Sequence, residues 1–306
     1  MKTPFFFYYE NAIIMLEVKK MKIENERYLV EFTTAGGEMT QFLDKQTGIQ
    51  YLYQGDSNYW SGKNPTLFPI VGNTYDGTYE AKGNTYQFKN HGLIRYATLE
   101  CTNQSDHSIT FALSSNEDTL KVYPYRFLYE ITYTLINNRL EIVYHIHNHD
   151  EETMPFTFGL HPGFKVPLLE GESYEDYTVT FECEEKMEQL IADAKKVIPH
   201  YYEPITMKEL HLNYELMKKY ATLIYRGYSS SYVTLQGKSE HKVRVSIAGY
   251  PLLALWSPIN APFLCIEPWY SHADFEKVDC PFADRYGMMK LEPQQIFTTS
   301  YTIEVE

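Results

Sequence analysis

The chain has 306 residues, a formal net charge of -13 and 16% aromatic residues, with 28 tyrosines and 17 phenylalanines among them. An acidic field of this size argues against nucleic acid or an anionic membrane as partner, since phosphates are held by clustered Lys and Arg, and it leaves room for a small neutral ligand. The aromatic content suits pleated, half-buried surfaces, so the chain reads as mainly β.

The first stretch, Pro4 to Leu16, is apolar but interrupted by Glu10 and Asn11. It carries no A-x-A cleavage pattern and is too short to span a bilayer, so residues 1–20 are expected to be an extension ahead of a single domain at 21–306, with Met21 an alternative start. Short alternating runs then follow: "KIENERYLVEF", "GIQYLYQ", "NTYQF" and "SITFALS". From Phe127 the period of two is strict, with Tyr129, Ile131, Tyr133 and Leu135 on one face, "NNR" as a turn, then Leu140, Ile142, Tyr144 and Ile146, which predicts an antiparallel hairpin. Further strands are expected at "YTVTFEC", "SYVTLQG", "VRVSIAG", "LLALWS", "PFLCIEPW" and "FTTSYTIEVE". Two segments carry helix formers, Cys183–Val197 and Thr206–Tyr220, the second with Thr206 and Glu209 in capping-box spacing. Many short strands without alternating helices predict an antiparallel β-sandwich.

Four cysteines, Cys101, Cys183, Cys265 and Cys280, form no CxxC pair; they read as reduced packing residues of a cytoplasmic protein. His145, His147 and His149 would share one strand face, as a metal site requires. Ile146 and Tyr144 continue the apolar row opposite, so a solvated face is the simpler reading and no metal is expected there.

Three other stretches bear on chemistry. In "TFGLHPGF", His161 is followed by a proline that bars helix and flanked by glycines that permit turns and close backbone approach. In "NHGLIRY", His91 and Arg95 either serve a ligand or cap and pair locally. In "FLCIEPWYSHAD", an apolar run ends at Glu267, which is either a turn-capping group or a carboxylate whose basicity is raised by partial burial.

Taken in order, "LFPIVGN", "NHGLIR", "YPYRF", "NHDEETMPFTFGLHPGF", "LALWS" and "CIEPW" resemble the aldose 1-epimerase (galactose mutarotase-like) superfamily, most closely its LacX-like branch. The resemblance implies a large antiparallel β-sandwich holding a monosaccharide, with no metal or organic cofactor needed for chemistry. It assigns Glu267 as catalytic base, His161 as general acid and His91 as a second histidine polarising the sugar near its ring oxygen. Arg95, Asn73, Trp256 and Trp269 are the further sugar-binding candidates. Mutarotation takes a proton from the anomeric hydroxyl while protonating O5, which a carboxylate and an imidazolium on opposite sides of the C1–O5 unit accomplish.

Two positions depart from the pattern: Asn73 stands where relatives often carry arginine, and Ser271 where glycine is common. The leading expectation is therefore an aldose 1-epimerase of a free hexose. The alternatives are a hexose-6-phosphate 1-epimerase, for which only Lys63, Arg95 and Lys165 lie near the motifs, and a non-catalytic carbohydrate-binding or regulatory homologue.

Overall fold

The computed structural model describes residues 21–192 and 199–306; the expected extension at 1–20 lies outside them. The predicted hairpin forms as Phe127–Ile136 and Arg139–Asn148, with Ile136 opposite Arg139 and Asn137 in the turn at φ 55. Along Arg139–Asn148 every second side chain is buried, so His145 and His147 face outward as expected. His145 Nδ1 meets Thr298 Oγ1 at 3.0 Å, and His147 pairs with Glu130 at 3.2 Å.

This hairpin sits toward one end of a 15-stranded antiparallel sheet. From the other end the sheet runs through Thr66–Leu67, Gly159–Leu160, Phe263–Trp269, Leu252–Trp256, Thr222–Arg226 and Thr178–Ile191. The two ends meet in space: Phe68, just beyond Thr66–Leu67, packs on Phe127 and Tyr129 at ring-centroid distances of 5.3 and 6.1 Å. A sheet whose ends touch has doubled over, and the apolar faces so enclosed form one core from Ile23 to Val305. Some buried tyrosines of that core place their hydroxyls on backbone carbonyls: Tyr133 donates to the Gly37 carbonyl at 2.9 Å and Tyr123 to that of Pro155 at 2.9 Å.

The strand Thr178–Ile191 carries the bend. Residues 178–181 pair with Tyr232–Gln236, whereas residues 188–190 pair with Thr222–Arg226. Between them Glu185 is buried and accepts the backbone N–H groups of Ser229 and Ser230 at 2.9 and 2.7 Å.

Here two expectations need correction. Cys183–Ile191 is strand rather than helix, and so is Thr206–His211, which belongs to Tyr201–His211. The strands that contain them, Thr178–Ile191 and Tyr201–His211, pair with each other over ten registered positions, and this cross-strand bonding overrides helix propensities worth only tenths of a kcal/mol per residue, about 0.7 at most for ordinary residues. Thr206 and Glu209 therefore form no capping box. A helix does follow at Tyr214–Tyr220, capped by Asn213 Oδ1, which accepts from Leu216 N at 2.8 Å. Cys265 is buried as expected, whereas Cys183 is exposed.

Candidate active site

The motif around His161 is less irregular than its glycines and proline suggest. Gly159–Leu160 and Gly163–Lys165 are two short strands, both paired with Phe263–Trp269. Gly159 stands opposite Trp269 and Gly163 opposite Cys265, which leaves His161, midway, directly across from Glu267. Alternation then puts Phe263, Cys265, Glu267 and Trp269 on one face of the strand, with Leu264 and Ile266 in the core behind. Sheet register thus brings together two residues that lie far apart in sequence.

The glycines supply space rather than turns. A side chain at Gly159 would come within 2.7 Å of the Trp269 ring, and one at Gly163 within 3.0 Å of the Trp60 ring. Both indoles need that room.

His161 Nε2 lies 3.3 Å from Glu267 Oε2, with both residues buried. The expected arrangement on opposite sides of a sugar is therefore replaced by direct contact, and cross-strand pairing is the reason. Trp60 stacks on the His161 imidazole at 4.7 Å, while Trp256 and His91 meet it edge-on at 5.6 and 5.5 Å.

Burial sets the protonation of this pair. It drives the His161 imidazole well below its usual range, helped by the nearby Arg95 cation. It drives the Glu267 carboxyl well above its own, only partly offset by the Trp269 indole and the Arg95 cation. Burial thus disfavours an ion pair here and favours the neutral form of each group.

His91 sits on a left-handed backbone, φ 67, which is uncommon for a residue other than glycine. Its N–H donates to the Gly72 carbonyl at 2.8 Å and its Nδ1 accepts from Gly72 N at 3.0 Å. With Nδ1 occupied as acceptor, the ring proton is on Nε2. Burial, then the nearby Arg95, lowers its pKa to about 3, so His91 is a neutral hydrogen-bond donor at physiological pH.

Asn73 is half-buried, and its Oδ1 is buried without a hydrogen-bond partner. Arg95, on the short turn Ile94–Tyr96, is half-buried and its charge reaches His91, His161 and Glu267. Trp269 differs from Trp256: it is buried, donates its indole N–H to the Leu160 carbonyl at 3.1 Å, and packs with Leu67, Val71 and Leu252. It braces the His161 segment from beside. Sequence reasoning missed Trp60, whose signal is Gly62 two places on: a Cβ there would lie 2.5 Å from the Trp60 ring.

Known proteins resemble this chain in both sequence and fold. The family model for Aldose 1-epimerase covers residues 19–247, and the chain belongs to that family. Plasmid-encoded protein LacX of Lactococcus lactis subsp. lactis is 31% identical over 93% of this chain and 99% of its own. A galactose mutarotase related enzyme from Lactobacillus acidophilus superposes with a TM-score of 0.88 at 31% identity, over 94% of this chain and 97% of that one. A galactose mutarotase-like protein from Lactobacillus casei gives 0.84 at 26% identity, over 94% and 100%.

Proposed function

We propose that the protein is an aldose 1-epimerase that interconverts the α and β anomers of a free hexose, and that residues 21–306 act as one domain. The observation that carries this reading is the 3.3 Å contact between His161 Nε2 and Glu267 Oε2 in a buried setting. Two proton-transfer groups side by side can serve two oxygens of one hemiacetal carbon.

In the forward direction Glu267 accepts the O1 proton as C1=O forms, the C1–O5 bond breaks with its electrons going to O5, and His161 donates its proton there. Rotation about C1–C2 and the reverse transfers close the ring on the other face. The opened state leaves Glu267 protonated and His161 neutral, which is the combination that burial favours; desolvation therefore assists opening. Entry of a closed sugar requires one proton to pass from Glu267 to His161 along their contact, with the sugar hydroxyls solvating the resulting charges. Each positioned group supplies a factor of ~10²–10⁴.

His91 Nε2–H is available to a sugar oxygen, and Asn73 Oδ1 awaits a hydroxyl donor. Trp60 and Trp256 offer apolar faces to a pyranose ring. An asparagine at position 73, in place of a guanidinium, favours a neutral sugar over a phosphorylated one.

Polarimetry of freshly dissolved α-D-glucose and α-D-galactose is the direct test. Faster equilibration with protein, unaffected by excess glucose 6-phosphate, is expected; equilibration at the spontaneous rate with both sugars refutes the enzymatic reading.

A further inference from the structure

Beside the acid/base pair lies a third group that mutarotation does not use. Cys265 shares a strand face with Glu267, two residues away, and stands opposite Gly163, which has no side chain to screen it. Its thiol is completely buried, in a small cluster with Tyr53 and Phe263 to which Trp60 and Trp256 add partial cover. One ligand atom from each of His161, Cys265 and Glu267 lies within 4.8 Å of the other two, the one such group among the described residues. The second ring nitrogen there, His161 Nδ1, is buried without a hydrogen-bond partner.

We propose that His161, Cys265 and Glu267 form a three-ligand site for a thiophilic divalent cation of the zinc type, which blocks the sugar site when filled. One nitrogen, one sulfur and one oxygen donor is a set that suits zinc and its analogue cobalt, and that magnesium and calcium do not favour. Three protein ligands leave a fourth position open. Binding replaces the S–H bond with a metal–sulfur bond and the carboxyl O–H bond with a metal–oxygen bond, and releases both protons to solvent. The ion and a reacting sugar exclude one another, because the imidazole and carboxylate that would ligate the metal are the groups that would move the sugar's protons. That inhibitory consequence rests on the function proposed above; binding of the ion does not.

The histidine row on the outward face of Arg139–Asn148 and the residue after it is the competing site to separate. Rings of His145, His147 and His149 follow at 6.5 and 5.8 Å, yet no sulfur accompanies them. A thiolate signature therefore identifies the buried site.

The experiment is titration of the chelator-treated, reduced full chain with Co²⁺, read by absorption. One saturating equivalent with a near-ultraviolet thiolate–cobalt band is expected, absent in Cys265→Ser. Loss of one ligand in Cys265→Ser or His161→Gln should weaken binding ~100-fold, its share of the total for a structural site. A band that persists in Cys265→Ser, or none in the wild type, overturns the proposal. Should the variants misfold, zinc-edge X-ray absorption on the wild type decides: one sulfur at about 2.3 Å is required. Mutarotation inhibited by Zn²⁺ and restored by chelator supports the block; a cobalt–thiolate band in a protein that never accelerates mutarotation keeps the metal site and removes the enzymatic reading instead.

Discussion

Glu267 occupies a position that disfavours its own charge. It is 1% exposed, and the imidazole 3.3 Å away is one that burial also keeps neutral. Replacing it by glutamine keeps the shape and removes the buried acid. For a carboxyl whose folded pKa is raised, the cost of ionisation is absent below the unfolded value near 4.5 and grows as pH rises toward the folded one. Glu267→Gln is accordingly expected to abolish mutarotation while stabilising the protein by roughly 1–2 kcal/mol, more at pH 8 than at pH 5. Denaturation midpoints at the two pH values check this; a variant less stable than wild type at pH 8 would contradict the description of the site. His161→Asn should likewise lose most turnover with its fold intact, and full activity would remove His161 from the chemistry.

At the scale of elements, the site is a product of register. The hairpin Phe127–Asn148 was legible because its period of two is unbroken, and the catalytic candidates only through the family resemblance carried by the order of motifs such as "LHPG" and "CIEPW". Their contact was not legible. Pairing of Gly159 with Trp269 and of Gly163 with Cys265 is a long-range choice that no local pattern encodes. The same limit explains the helix expected over Cys183–Val197, where residues such as Glu184, Lys186 and Glu188 read locally as helix formers and the pairing partner lies beyond the window. Trp60 escaped notice for a related reason, since its neighbour is Gly163. Close packing there gives a second prediction. In Gly159→Val a branched side chain must enter a space whose first atom, on Trp269, is 2.7 Å from the Cβ position. Overpacking costs typically 1–3 kcal/mol, and the displaced strand carries His161 off Glu267. The expected outcome is a loss of kcat larger than the loss of stability allows; normal kcat in the folded variant would show that this spacing does not set the pair.

At the scale of the whole molecule, histidines held neutral by burial bear on how the folded state responds to acid. Burial lowers His91 to about 3 and His272 to about 4, the latter despite its bond to the Ala273 carbonyl. Tyr202, whose hydroxyl meets His272 Nε2 at 3.3 Å, and Tyr286, stacked on its ring at 4.5 Å, close that second site. Unfolded histidines take up protons below about 6.5, and the folded ones do not until far lower. The unfolded state binds more protons throughout that interval, so stability is complete above pH 6.5 and falls as pH drops toward 4 and then 3. At pH 5 each histidine would cost up to roughly 2 kcal/mol. Glu267 acts with the opposite sign, so the Glu267→Gln protein isolates the contribution of the buried histidines, to which His161 adds in the same direction. Its urea midpoint should decrease steadily from pH 7 to pH 5, with a shallower slope once His272→Gln is added, and the transition should remain single if residues 21–306 unfold as one unit. A midpoint independent of pH over that range would mean that His91 and His272 are solvated enough to take up protons in the folded state, and a neutral His91 donor could then no longer be part of the sugar site.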